Sequence, residues 1–351
     1  MRASVLAKRD GRSVIEVQTL PDPEPGPGEA LLEVRAAALN HLDLFARIHQ
    51  QAEATAEPKI IGSDAAGVVK ALGPDIETLE VGDAAVLNPG LSCNSCELCE
   101  QGEESECAGF DLVGRGIPGT FAELVLVPAA NLAPKPEHLD FEQAAALPLD
   151  HLTAWRMVRT RGQLRAGETV LIHGIGGGAA LAALQISKLT GAEVIVTSSS
   201  DDKLERARAI GADETINYQN QPDVGQSVRE LTGGRGADLV IDTVGAATLP
   251  GSISAARNGG RVVLCGATTG AEGVVNIREV FWRQISIIGS TMGSRDDFRQ
   301  MLSAVSDQNL VPVVDSVWHL SDLEPALDRL ERADQFGKIV LSAAGGAGRW
   351  P

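Results

Sequence analysis

The stretch TVLIHGIGGGAALAALQISKL, residues 169–189, decides the fold. A short apolar run suited to a buried strand enters a glycine turn, Gly174-Ile175-Gly176-Gly177-Gly178-Ala179-Ala180, and the turn opens a helix of alanines and leucines. Glycines let a backbone approach a pyrophosphate closely, and the start of a helix offers unpaired N–H groups at the positive end of its dipole. A strand before and a helix after give a bare glycine pattern the context of a dinucleotide-binding turn. A Gly-x-Gly-x-x-small pattern fits in two registers, one led by Gly174 and one with Ile175 in the first slot; the plainer alternative is a tight turn.

Toward the C-terminus the segments alternate. EVIVTSS (193–199), the helical KLERARAI (203–210), ADLVIDTVG (237–245) and RVVLCG (261–266) predict an α/β unit with a doubly wound parallel sheet and helices on both faces. The second strand ends at Ser198, Ser199 and Ser200, with Lys203 following, where an NAD-selecting carboxylate would otherwise stand. Hydroxyls and a lysine suit a 2′-phosphate, so NADPH is expected in preference to NAD. The same serines can cap the helix that follows. Three later turns, Val244-Gly245, Cys265-Gly266-Ala267 and Gly289-Ser290-Thr291, follow strands and should lie at the carboxyl ends where ligands bind.

Toward the N-terminus, to about residue 130, short strands are broken by Pro and Gly turns: SVIEVQTL, PDPEPGPGEA, ALLEVRAAAL, AAGVVKAL, DAAVLNP and FAELVLVP. That pattern predicts an antiparallel, barrel-like unit. Apolar residues recur at helical spacing from Phe141 to Thr160. After Gly289 a helix near DDFRQMLSAVSDQNL, a strand PVVDSVWHL, a helix LEPALDRL and a strand GKIVLSA look like a return to the first unit. The expected domains are 1–130 with 290–351, and 131–289; AGGAGRWP at the end reads as a loose tail.

The 351 residues suffice for two domains with real cores. Thirty Lys and Arg against 47 Asp and Glu give a net charge of −17, which argues against nucleic acid or an anionic membrane as partner. Aromatic residues are 3% of the chain, so the core must be aliphatic. No window reaches 18 uncharged apolar residues, and the opening MRASVLAKRDGRSVIEV alternates like a strand, so a cytoplasmic protein is expected. Cys93, Cys96, Cys99 and Cys107 are spaced to wrap one tetrahedral zinc with no open position, a structural site. Cys265, after a buried strand, reads as a core residue.

Taken together, the chain resembles the medium-chain dehydrogenase/reductase superfamily from Met1 through GKIVL, most closely its quinone oxidoreductase branch with the structural-zinc loop. The matching stretches are PDPEPGPGEALLEVRAAALNHLD, IGSDAAGVVKALG, NPGLSCNSCELCEQGEESEC, GTFAELVLVP, AALPLDHLTAW, GAEVIVTSSSDDKLERARAIGADETINY and FGKIV. The resemblance implies a GroES-like β-barrel catalytic domain, a Rossmann cofactor domain with a cleft between them, and a homodimer or homotetramer. In zinc alcohol dehydrogenases of this superfamily three side chains hold a catalytic zinc. Those positions fall on Asn40, Ser63 and Leu149 here, none a good zinc ligand, and the proton-relay hydroxyl is replaced by Leu42.

Asn40, Ser63 and Asp64 match the quinone reductase-like pattern instead. The resemblance therefore implies NADPH-dependent hydride transfer to a quinone or an α,β-unsaturated carbonyl without catalytic zinc, with orientation and a dry site as the protein's contribution. Asn40 would bind the carbonyl or the nicotinamide ribose, or else only stabilise a turn. Asp43 would be a buried structural residue paired with an arginine, and His41 would lie near the cofactor phosphates. His151 could donate a proton or be structural, Thr153 would face the nicotinamide, and Lys338 in Phe336-Gly337-Lys338 would approach the adenosine phosphate. The segments 47–58 and 271–282 read as pocket loops. Two alternatives stand beside this reading: a zinc-dependent alcohol dehydrogenase, and a non-catalytic NADPH-binding protein.

Overall fold

The computed structural model describes residues 1–52 and 59–343, the side chains of 49–52 excepted; the expected loose tail and most of the first pocket loop lie outside the described residues. The chain divides into two compact units, residues 1–149 with 294–351, and 150–293. Among the described residues no helix is long and apolar enough to cross a membrane.

In the first unit a largely antiparallel sheet runs in the order Leu132–Pro134, Ala84–Leu87, Asp64–Leu72, Glu29–Ala38, Lys338–Ser342, Val314–His319, with Leu124–Pro128 also on Glu29–Ala38. A second sheet pairs Arg12–Thr19, Arg2–Arg9 and Lys59–Ile60. The buried core is aliphatic, with Leu6, Leu32, Ile61, Leu87 and Leu341 in one cluster with Phe121, against which Trp318 packs half-buried. One boundary moves. Residues 131–149, expected in the α/β unit, belong here, because Leu132–Pro134 pairs with Ala84–Leu87 and the helix Phe141–Ala145 packs on the central strands. Its Asp140–Gln143 capping box fixes where that helix starts. Helical periodicity marks a helix but does not say which sheet receives it. At the other boundary, residues 290–293 stay with the second unit.

The second unit is the α/β fold expected. Its six strands, Thr169–Ile172, Glu193–Ser198, Glu214–Asn217, Ala237–Asp242, Ala256–Leu264 and Ser286–Gly289, all pair parallel in the order 3-2-1-4-5-6. The central strands are buried on both faces, as continuous runs of Val, Ile and Leu require. The order reverses beside Thr169–Ile172, the strand that feeds the glycine turn, and a reversal point is where an open α/β sheet leaves a crevice.

Candidate active site and metal centre

In the second unit the glycine turn sits at the carboxyl end of Thr169–Ile172 and the helix Gly178–Leu189 follows. Gly174 (φ +69°) and Gly176 (φ +127°) hold left-handed backbone. No side chain caps the helix after Gly177, so its first N–H groups and dipole are directed at whatever anion sits over the turn. Ile175 N–H bonds to the Thr197 carbonyl at 2.9 Å, tying the turn to the next strand.

Several expected rim residues converge. A Cβ on Gly174 would lie 3.2 Å from Val244, and one on Gly245 would lie 3.2 Å from both Ala267 and the Gly266 carbonyl. Ser290 follows the last strand, with its N–H on Leu264 and its hydroxyl buried without a partner. Ser198 is buried and its hydroxyl accepts the Ser200 N–H at 3.1 Å, while Ser200 caps the helix Asp201–Ala209. The capping role is thus real, and it leaves exposed Ser199 and half-buried Lys203 as the groups able to face a 2′-phosphate. Ala179 lies in the first turn of the glycine-turn helix. His151 is buried with Nε2 3.3 Å from Gln185, and the Thr153 hydroxyl donates to Met292 sulfur at 3.6 Å.

Asp242, which the sequence reading passed over, organises this rim. Fully buried, it accepts the N–H groups of Val244 and Gly245, each at 3.0 Å, and the hydroxyls of Thr248 (2.8 Å) and Ser252 (2.6 Å). Four donors to one carboxylate fix the turn that faces Gly174. The available signal was an acidic residue closing the apolar strand ADLVID. His173, also passed over, lies under the glycine turn with Nδ1 3.3 Å from the Thr197 hydroxyl; burial lowers its pKa, against the pull of Asp242, and keeps it neutral.

The first unit holds a different cluster. Glu29–Ala38 lies between Asp64–Leu72 and Lys338–Ser342, with Ala38 paired to Asp64 on one side and Val340 on the other. Asn40 follows two residues later. Lys338 therefore arrives beside Asn40 and Asp64: its Nζ donates to Asn40 Oδ1 at 2.6 Å and Asp64 Oδ2 at 3.0 Å. Asn40 Nδ2 donates to the same carboxylate oxygen at 3.0 Å, and Leu149 N–H to Asp64 Oδ1 at 2.8 Å. All three side chains are buried. Gly337 makes the approach possible, since at φ +112° a Cβ would lie 2.3 Å from the Val313 carbonyl.

This corrects two expectations. Lys338 is committed to Asn40 and Asp64 within the first unit instead of an adenosine phosphate, because the strand pairing turns its side chain inward. Asp43 is buried as expected, but it accepts backbone N–H groups of Asn40 and Gly62, and the cation it faces is Lys338, not an arginine. Burial pushes the Asp43 carboxyl up to about 7, despite those N–H groups and Lys338. His41 is exposed at the start of the helix His41–Ala52.

A catalytic zinc does not fit here. Ser63 hydroxyl donates to the Val113 carbonyl at 2.8 Å, Leu149 has no ligand atom, and both Asp64 oxygens are occupied by donors. The four cysteines differ. Their sulfurs stand 3.5 to 3.9 Å apart in four of the pairs and all within 4.8 Å. A tetrahedral ion with Zn–S bonds of about 2.3 Å has edges of about 3.8 Å, so the site fits zinc. A Gly109 N–H on the Cys107 sulfur at 3.3 Å adds a donor of the kind that steadies a thiolate. Among the described residues this is the one group of His, Cys, Asp and Glu side chains arranged to hold a metal. Cys265 is separate, its thiol pushed by burial up to about 11.

Residues 26–137 match the alcohol dehydrogenase GroES-like domain and residues 178–307 the zinc-binding dehydrogenase domain. A zinc-type alcohol dehydrogenase-like protein of Schizosaccharomyces pombe is 33% identical over 90% of this chain and 91% of its own length. The chain belongs to the medium-chain dehydrogenase/reductase superfamily. A crystal structure of an NAD-dependent alcohol dehydrogenase superposes with a TM-score of 0.92 at 47% identity, covering 98% of this chain and all of that one. An acryloyl-coenzyme A reductase of Metallosphaera sedula is 29% identical over 97% of this chain and its whole length. The protein is an oxidoreductase of this superfamily, with the GroES-like and Rossmann-like domains the sequence suggested.

Proposed function

We propose that this dehydrogenase-family protein reduces an α,β-unsaturated carbonyl or a quinone with NADPH, without catalytic zinc and with one structural zinc in the cysteine loop. The observation that carries the reading is the Asn40–Asp64–Lys338 cluster, which fills with an internal cation the place where zinc-dependent relatives are expected to hold a metal. The name of the acryloyl-coenzyme A reductase relative supports an enoyl acceptor. Exposed Ser199 and half-buried Lys203, with no carboxylate at Ser198 or Ser200, support NADPH over NAD.

The nicotinamide, when bound, supplies a hydride. The glycine turn and the helix Gly178–Leu189 would bind the pyrophosphate, and the Asp242-braced turn at Val244 and Gly245 would seat the cofactor. Hydride addition at the β-carbon moves an electron pair onto the carbonyl oxygen. Asn40 would orient that oxygen, with Lys338 and Asp64 holding the amide in one orientation. His151 or a water would return a proton to the α-carbon, completing the saturated product. Thr153 would position the nicotinamide ring.

We also propose a homodimer. Among the described residues the strand Ser286–Gly289 ends the parallel sheet with one edge unpaired, and Val274, Ile277, Phe281, Trp282 and Ile287, on and around the second expected pocket loop, are exposed. An exposed apolar sheet edge calls for cover, and a second copy supplies a matching edge. The proposal keeps the cytoplasmic location expected from the sequence.

The test is to follow oxidation of NADPH and NADH with acryloyl-coenzyme A, a simple enone and a benzoquinone, before and after dialysis against a chelator, alongside alcohol oxidation with both cofactors. The reading expects acceptor reduction that is faster with NADPH and unchanged by dialysis that leaves one zinc per chain. Alcohol oxidation that disappears with loss of a second zinc would restore the alcohol dehydrogenase reading. NADPH binding with no turnover of any acceptor would favour a binding protein.

A further inference from the structure

The amino ends of the strands Ala237–Asp242 and Ala256–Leu264 lie on the sheet edge opposite the glycine turn. A groove of about 570 Å³ opens there, lined by Arg229, Arg235, Arg257 and Arg283 with Asn258 and Glu279. Four guanidinium groups in one groove are unexpected in a chain of net charge −17. Beneath them Asp238, 1% exposed on its side chain, takes Arg235 at 2.6 and 2.7 Å and also Arg257, so two cations share one carboxylate. Arg257 adds the Asn258 carbonyl at 2.6 Å. Arg283 pairs with Glu279 and reaches carbonyls at the end of the helix Leu249–Ala255. Among the described residues Arg229 donates to Ser254 alone, through its carbonyl and its hydroxyl at 3.2 Å. Four guanidinium groups therefore border an open groove, with Asp238 and Glu279 as their direct carboxylate partners and Glu168 and Glu193 acting on Arg235 from further off.

We propose that this groove binds a phosphate monoester dianion, either inorganic phosphate or the terminal phosphate of a nucleotide. Guanidinium forks match phosphate oxygens in shape and charge. The site uses none of the residues assigned to hydride transfer, so it stands or falls independently of that reading.

Calorimetric titration of the intact protein with inorganic phosphate, and separately with adenosine 3′,5′-bisphosphate, at fixed ionic strength, tests it. Phosphate can also settle over the glycine turn, so the readout is the difference between variants. Arg235→Gln and Arg229→Gln should each weaken binding at least tenfold, while Arg9→Gln, in the other unit, should leave it unchanged. Arg235 is 52% exposed on its side chain and Arg257 still covers Asp238 without it, so Arg235→Gln decides the matter if Arg229→Gln fails to fold. Tighter binding of the nucleotide than of phosphate supports the site with a nucleotide as its ligand, and equal binding supports it with free phosphate. Identical affinities in all variants, or no phosphate binding, overturn the proposal and leave the arginines as braces for Asp238 and the helix end.

Discussion

Two regions of the first unit face the same electrostatic problem and solve it differently. In the cysteine loop four sulfurs converge, one on an exposed residue and one on a buried one, and among the described residues no cation is one of the groups that shift the thiols of Cys93, Cys96 and Cys99. Around Asp64 a buried carboxylate is met by an amide, a backbone N–H and an ammonium, all from the chain itself. Thiolates so close repel one another and require an imported divalent ion. A carboxylate that already faces an ammonium has its charge balanced by the chain. Two places at which zinc alcohol dehydrogenases of this superfamily would both hold zinc therefore differ in kind in this chain.

The comparison breaks most visibly if metal content does not separate the two regions. Elemental analysis of protein prepared without chelator should give about one zinc per chain. Cys107→Ser should bring that to near zero and cost several kcal/mol of stability, the largest loss expected here, since structural zinc binding is itself folding free energy. Asn40→Ala should leave the zinc content unchanged. A value of two in the natural protein, falling to one in Asn40→Ala, would show that the Asp64 region also binds metal.

The ammonium can be tested by removing it. Lys338→Met leaves Asp64, fully buried, with an uncompensated charge, and breaking such a pair typically costs about 3–5 kcal/mol. Adding Asp64→Leu removes the stranded charge, so the double variant should be more stable than Lys338→Met alone. Urea denaturation of the four proteins of the cycle measures the coupling. Strict additivity would mean that the pair does not act as a unit.

How legible each region was follows from how far apart its residues are in sequence. The four cysteines lie within fifteen positions, so spacing alone proposed their grouping, and the sulfur distances agree with it. The glycine turn was equally local, and so was the strand and helix alternation behind it. Lys338 and Asn40 are 298 positions apart, and only the order of strands in the sheet puts Lys338 beside Asp64. The resemblance gave Lys338 a different partner for the same reason: a motif names a residue type, while strand pairing sets its direction. Residues 131–149 show the same limit, since a helix's periodicity carries no address. Asp242 was overlooked because its four donors come from a turn and a helix that follow the strand, and nothing in an apolar strand ending in aspartate specifies how many donors it will collect.

Taken per unit of pH, the smallest expected effect lies at the edge of the Asp64 cluster and sharpens the contrast further. Asp43 is held by the backbone N–H groups of Asn40 and Gly62 and faces Lys338 and Asp64, yet burial dominates and raises its pKa from 3.8 to about 7. The folded protein therefore keeps a proton on Asp43 that the unfolded chain releases near pH 4. That contribution to stability is complete below about pH 4 and is lost progressively as the pH rises to about 7, with a slope of at most about 1.4 kcal/mol per pH unit. Asp43→Asn keeps an acceptor for the Asn40 N–H and cannot ionise, so its urea midpoint should fall less over that interval than the natural protein's. In Lys338→Met the favourable cation is gone, and the Asp43 window should extend above pH 7. Identical pH profiles for the natural protein and Asp43→Asn would mean that this carboxyl ionises freely, and that the cluster is more hydrated than its burial implies.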